Sequence, residues 1–270
     1  MEKNLADLLS IRIQNDRKMK SDKVTLSLIK SMKFWINFFF LILFCFSFLW
    51  ALDSEDLEKV KSLKETIEKS DRYRLQPLDL FDGDMHWSIF HGSSYLESVK
   101  FTSKIPKSEA YRLESELYYN PESPFKAKAM QIHSNIEIPG RDKVFLKPEL
   151  VKPLGIGNPV RIFFWVYSNN YDINMKIIIS QRKSPDIVVD FGVLKFNGWR
   201  RMDAKVTNYK PPDRLNLPKS SKFELKGILL ESSVSQPKGN FFIFFDQMGI
   251  LMEKPETYPG SEVPDGWELY

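Results

Sequence analysis

Residues 160–179 read "VRIFFWVYSNNYDINMKIII", and the first half of that stretch is apolar on both of its faces. Side chains of an extended strand point alternately to opposite sides. Val160, Ile162, Phe164 and Val166 form one row; Arg161, Phe163, Trp165 and Tyr167 form the other. A strand that walls one side of a core turns polar residues to the other side. Here three of the four residues in the second row are aromatic, so that row needs a cover of its own. A second layer of the same domain, a ligand or another protein would each supply one.

The surrounding texture is that of an all-β chain. Short apolar runs at 85–90, 97–102, 126–138, 143–147, 160–167, 173–181, 186–191, 199–206, 223–231 and 240–246 alternate with turn signals. The punctuation includes Asp82-Gly83, Pro139-Gly140, Asn169-Asn170, Asn197-Gly198, Pro211-Pro212 and Lys238-Gly239. Many strands with no helical segment between them specify an antiparallel β-sandwich rather than an α/β fold. Asn197-Gly198 is the strongest short hairpin signal, because both residues accept positive φ, and it predicts a tight turn directly before Trp199. Residues 106–124 fit a short helix or a long loop equally well.

Ahead of this region, residues 53–72 predict a helix. Leu57, Val60, Leu63 and Ile67 recur at spacings of three and four, with charge elsewhere. The stripe is narrow, which suits packing on a sheet edge or a partner better than entry into a deep core. The expected organisation is a start-codon misassignment or disordered extension at 1–31, a leader at 32–51, a helical segment at 52–75, a sandwich at 76–252 and an extended Pro- and Gly-rich tail at 253–270.

The leader is defined by the apolar run "FWINFFFLILFCFSFLWA" at 34–51, with Lys30 and Lys33 before it and "LDSEDLE" after it. A basic n-region, an apolar core and Ala51 at its end read as a secretory signal. An uncleaved membrane anchor is the alternative, since the run approaches the ~20 residues that span a bilayer. Residues 1–51 carry 8 Lys and Arg against 4 Asp and Glu, which leaves 31 of each from residue 52 onward. The basic isoelectric point therefore belongs to the leader, and gives no support to nucleic-acid binding. The single cysteine, Cys45, also lies in the leader, so the exported chain has no thiol chemistry.

No catalytic constellation is visible, and no cofactor is expected. Asp82, Asp84 and His86 are metal-capable residues on one side of an extended strand, but the further ligands a metal requires are not identifiable. "GIGNP" at 155–159 lacks the third glycine and the following helix of a phosphate-binding turn. Glu114, Glu116, Asp186 and Asp190 offer no spacing that favours any pair for glycoside hydrolysis. The remaining signal is aromatic: "FFWVYS", "FNGW" and "NFFIFF". Phe163, Trp165, Tyr167 and Trp199 are the candidate partner-binding residues. They are core under a second layer, an assembly surface or a platform for sugar rings.

The order of these segments resembles the spirochaete flagellar filament outer layer (sheath) protein family, FlaA. The resemblance is carried by "VRIFFWVYSNNYDINMKIIIS", "VVDFGVLKFNGWRRMDAKV" and "FELKGILLESSVSQPKGNFFIFFDQMGIL", over roughly residues 80–250. Its most specific pieces are Trp165, Asn197-Gly198-Trp199 and Phe244-Phe245-Asp246. It implies a jelly-roll-like sandwich exported to the periplasm, without enzymatic activity, coating a core of flagellin beside other sheath proteins and copies of itself. It implies no nucleic acid, and membrane contact only through the signal segment. A carbohydrate-binding sandwich is the alternative function. Two departures stand out: Ser168-Asn169-Asn170 where many members carry a Gly, and the helix at 53–72.

The leader yields a direct prediction. N-terminal sequencing of the chain recovered after export should begin near Leu52; recovery of residues from 1–33 would reject cleavage there.

Overall fold

The computed structural model describes residues 54–83, 85–91, 98–119, 128–150, 152–154, 157–181, 184–207 and 223–254. The chain divides into two compact units, 1–55 and 56–270, and the architecture below belongs to the second. The expected signal, Cys45, Asp84 and almost all of the tail lie outside the described residues.

A helix, α1, occupies 54–69. It is followed by β1 (Tyr73–Asp79), β2 (Trp87–His91), β3 (Ser98–Thr102), α2 (Glu109–Tyr118), β4 (Ala129–Ile136) and β5 (Lys143–Pro148). Then come β6 (Lys152–Pro153), β7 (Asn158–Asn169), β8 (Ile173–Gln181), β9 (Ser184–Val193), β10 (Asn197–Lys205), β11 (Phe223–Ser232) and β12 (Gly239–Glu253). Among the described residues these strands build two six-stranded sheets. Sheet A runs β10-β7-β12-β4-β3, with β1 also on β12; sheet B runs β2-β5-β11-β8-β9, with β6 on β11. Every pairing is antiparallel. The fold is the antiparallel β-sandwich with an N-terminal helix that the alternation specifies.

The inner faces make the main core. Ile162, Phe164 and Val166 of β7 meet Met175, Ile177 and Ile179 of β8, Ile228 and Leu230 of β11, and Phe241, Ile243 and Phe245 of β12 in one cluster. Full burial of each such side chain contributes about 1.5–3 kcal/mol on the transfer scale. β12 is the spine of sheet A. Its 15 residues pair with β4, β7 and β1 in turn. A bulge between Asp246 and Gly249, with Gln247 at φ 47°, shifts its register against β7.

Three details depart from the sequence reading. Asn197-Gly198 does not form a hairpin turn. β9 pairs with β8 in sheet B and β10 pairs with β7 in sheet A, so the connection crosses between sheets, and Asn197 already lies in β10 opposite Asn169. The helix at 54–69 lies against the outer face of sheet A rather than on an edge, burying Val60 and Leu63. β1 begins within the segment 52–75 assigned to the helix and runs on to Asp79, and its pairing with β12 is not among the expected strands.

Two glycines mark close approaches. A Cβ on Gly227 would lie 2.2 Å from the Leu146 carbonyl oxygen and 2.7 Å from the Phe145 ring. A Cβ on Gly249 would lie 2.0 Å from the Tyr118 hydroxyl, so this glycine lets α2 settle on the spine strand. Gly249→Ala should therefore destabilise strongly, by about 1–3 kcal/mol as overpacking. Tyr118→Phe in the same chain should restore part of that loss in urea denaturation. A double variant no more stable than Gly249→Ala alone would show that the hydroxyl is not the obstacle.

Candidate interaction surface

The second row of β7 lies on the outer face of sheet A, and the chain's own helices cover most of it. Serine 108 starts α2: its side chain accepts from the Tyr111 N–H at 3.3 Å, as an N-cap should. Ala110, Tyr111 and Glu114 then fall on one buried side of the helix. Ala110, Tyr111, Val60 and Trp165 pack together, and Leu63, Phe163 and Leu251 form a second cluster beside them. Phe163 is 0% and Trp165 1% exposed. This corrects the expectation of an open partner face at these two residues: the cover is a second layer of the same domain.

The helix is pinned by polar contacts inside that apolar layer. Glu114 accepts at Oε2 from the Trp165 indole Nε1 at 2.8 Å and from Arg201 Nε at 2.9 Å. Its Oε1 accepts from Arg201 Nη2 at 3.3 Å. Arg201 donates its remaining Nη1 to Asp203 at 2.9 Å, and its guanidinium lies 4.4 Å from the Phe163 ring centre. The Arg201 backbone N–H donates to Asp56 of α1 at 3.1 Å. Burial works against the Arg201 cation, but the adjacent Glu114 outweighs it and holds the guanidinium above its ordinary value. A second anchor joins the Tyr111 hydroxyl to Asp246 Oδ2 at 2.8 Å. Burial pushes Asp246 well above the usual carboxylate range; the Tyr111 hydrogen bond opposes this, and the nearby Asp82 adds to it.

Beyond the helices the face opens into an aromatic patch. Tyr167, Trp199 and Phe244 contact one another with ring centres 5.2–6.2 Å apart and planes at 56–89°. Lys104 Nζ sits 3.5 Å from the Tyr167 ring centre and 4.5 Å from that of Phe244. Phe242, 40% exposed, stacks on His133 at 4.4 Å and 6°. Tyr167 and Trp199 are half-buried. A sugar platform needs ring faces that are coplanar and free. Tyr167 meets Trp199 and Phe244 edge-on, Trp199 and Phe244 are tilted, and Lys104 occupies the face of Tyr167, so the half-buried Tyr167 and Trp199 sit irregularly around a buried Phe244.

The other candidates are dispersed. Asp82 is buried and receives the Tyr119 hydroxyl at 2.7 Å, whereas His86 is exposed. Among the described residues no group of three or more His, Cys, Asp or Glu could hold a metal ion. Glu114 is committed to Arg201, Glu116 is exposed, and Asp186 pairs with Lys226 at 2.6 Å on the outer side of sheet B. The anchors were missed from the sequence. Tyr111, Glu114 and Tyr118 at helical spacing, and an acid inside the apolar "FFIFFDQM", were the available signals.

The fold and patch define a β-sandwich that presents a surface. Residues 125–257, from β4 through β12, match the family described as flagellar filament outer layer protein Flaa. That match bears out the resemblance over this segment. The chain is also similar to a flagellar filament outer layer protein of Borreliella burgdorferi, at 26% identity, with the alignment covering 36% of this chain. The match spans 31% of that relative's own length. Among solved structures, a family 11 carbohydrate-binding module of a Clostridium thermocellum cellulosomal cellulase is similar at a TM-score of 0.38 and 14% identity, covering 68% of this chain and 98% of that one. A xylan-binding domain from Paenibacillus barcinonensis reaches 0.32 and 12%, covering 63% and 87%.

The raised Asp246 carboxyl sets a pH dependence. The folded state keeps this proton at pH values where an unfolded Asp, with a value near about 3.9, has released it. The contribution is full below that value and is lost as pH rises through the window up to the folded value. Asp246→Asn keeps an acceptor for Tyr111 and removes the titration. The variant's stability relative to the unsubstituted chain, from urea denaturation, should therefore rise as pH increases above about 4. Asp56, raised by the same kind of burial, cancels in the difference. A variant that loses ground steadily over that range would show the carboxylate to be stabilised in its charged form.

Proposed function

We propose that this chain is a structural, non-catalytic subunit of the outer layer of the periplasmic flagellar filament. It is exported by its N-terminal leader, coats the flagellin core beside other sheath proteins, and contributes to filament shape, stiffness and motility. The family match over residues 125–257 carries this reading. The half-buried Tyr167 and Trp199 and the exposed Phe242 support it. Exposed apolar surface of this kind marks a protein contact, and the edge-on Tyr167–Trp199 pair suits burial by a protein better than stacking on sugars. Aromatic residues at such a contact commonly dominate its energy.

Filaments isolated from the periplasm and analysed by quantitative mass spectrometry should contain this chain in fixed ratio to flagellin. Absence from the filaments would overturn the sheath role. Phe242→Ser combined with Trp199→Ser should give a folded, exported chain with incorporation reduced by about tenfold or more. Normal incorporation of that variant would move the contact elsewhere while leaving the role intact.

A further inference from the structure

A cavity of about 420 Å³ opens where the end of α1, the start of β1, the end of α2 and the residue after β12 come together. Ile67 of α1, Leu75 of β1 and Leu117 of α2 give it an apolar wall, and all three are half-buried. Arg74 and Lys254 also line it, and both are exposed. Arg72 and Glu253 beside them pair with each other, whereas among the described residues neither Arg74 nor Lys254 has a carboxylate partner. Asp71 lines the cavity without pairing with either. Two cations against one acid leave the lining positive. The occupant that suits it has an apolar body and carries negative charge.

The chain itself leads such a segment away from the cavity wall. The Lys254 backbone N–H donates to the Arg72 carbonyl at 2.8 Å, which fixes where the chain leaves β12. Residues 255–270 follow, outside the described residues, and read "PETYPGSEVPDGWELY". They carry Glu256, Glu262, Asp265 and Glu268 and no Lys or Arg. Pro259-Gly260 is a turn signal: proline presets φ at the second position of a type II turn and glycine accepts positive φ at the third. A chain reversed there runs back along 254–258. Residue 265 then comes level with Lys254, and Trp267, two residues further, reaches the cavity. The indole is a large apolar body, and it stands between Asp265 and Glu268.

We infer that residues 261–268 fold back on the same chain and seat the Trp267 side chain in this cavity, with Asp265 and Glu268 toward Lys254 and Arg74. The segment is a strap. It joins the ends of α1 and α2 to β1 and closes the helical layer at the side where the chain leaves sheet A. The seating is a property of the free chain and does not depend on the sheath reading, which is tested separately by the content of isolated filaments.

Fluorine NMR of the chain expressed from its full sequence and labelled with fluorotryptophan reads Trp267 directly. Its resonance is the one that disappears in Trp267→Phe. In the unsubstituted chain it should lie well away from its position in urea. Arg74→Glu with Lys254→Glu should return it most of the way to the urea position. Both residues are exposed, so the circular dichroism spectrum should be unchanged. Adding Asp265→Lys with Glu268→Lys to that variant should restore the displacement. A Trp267 resonance at its urea position in the unsubstituted chain overturns the inference. So does a displaced resonance indifferent to the Arg74 and Lys254 substitutions, since the ring is then seated elsewhere, or one that the compensating pair fails to restore. A displacement that grows with protein concentration overturns it as well, because the ring then enters another molecule.

Discussion

The outer layer of this molecule depends on one constraint: β7 is apolar on both faces and requires two covers. Sheet B supplies the first, and α1 with α2 supplies the second. The polar network between α2 and sheet A follows from that choice. A buried indole N–H seeks an acceptor, and Glu114 provides it. A buried carboxylate in turn needs a cation, which Arg201 on the neighbouring strand provides. Arg201 then has a donor left over, and Asp203, two residues along the same strand face, takes it. Burying Trp165 thus fixes where α2 lies along the sheet. Gly249 removes the obstacle to its close approach.

A buried ion pair is a weak source of net stability, because desolvation offsets much of the attraction. Its cost falls on alternatives. If α2 slid by one turn, Glu114, Arg201 and Trp165 would each lose a partner inside an apolar layer. The Tyr111–Asp246 contact acts in the same direction, although Asp246 sits there against its electrostatic preference. The apolar contacts of Ala110, Leu113 and Leu117 hold the helix down, and the polar contacts select its position.

The sandwich was legible because period-two alternation and turn residues report local geometry directly. β4, β5, β7, β8 and β11 fall within a few residues of the runs that specify them. The Asn197-Gly198 turn was misread because positive φ is a local property, whereas hairpin pairing depends on which sheet each flanking strand joins. Gly198 does have positive φ, at 93°, but within β10. The site was less legible. The aromatic row of β7 showed that a cover was needed but not what it was. Phe163 and Trp165 pass under the helices; Tyr167 and Trp199, one register step further, stay half-buried. That boundary is set by where α2 begins, at Glu109: Phe163 lies under Leu117 and Tyr118, Trp165 under Ala110 and Tyr111, and Tyr167 beyond them beside Lys104, and no periodicity in β7 encodes it.

The two outer faces therefore have different solutions to the same problem. On sheet A the apolar row is broad, up to three aromatics on one strand, and a covalently attached helical layer covers it at the entropic cost of ordering that segment. On sheet B the outer face is mixed: Phe145, Leu229, Ile178 and Val188 lie among the ion pairs of Glu231 and Asp186, a density that water tolerates. A chain built this way keeps its broadest apolar row internal.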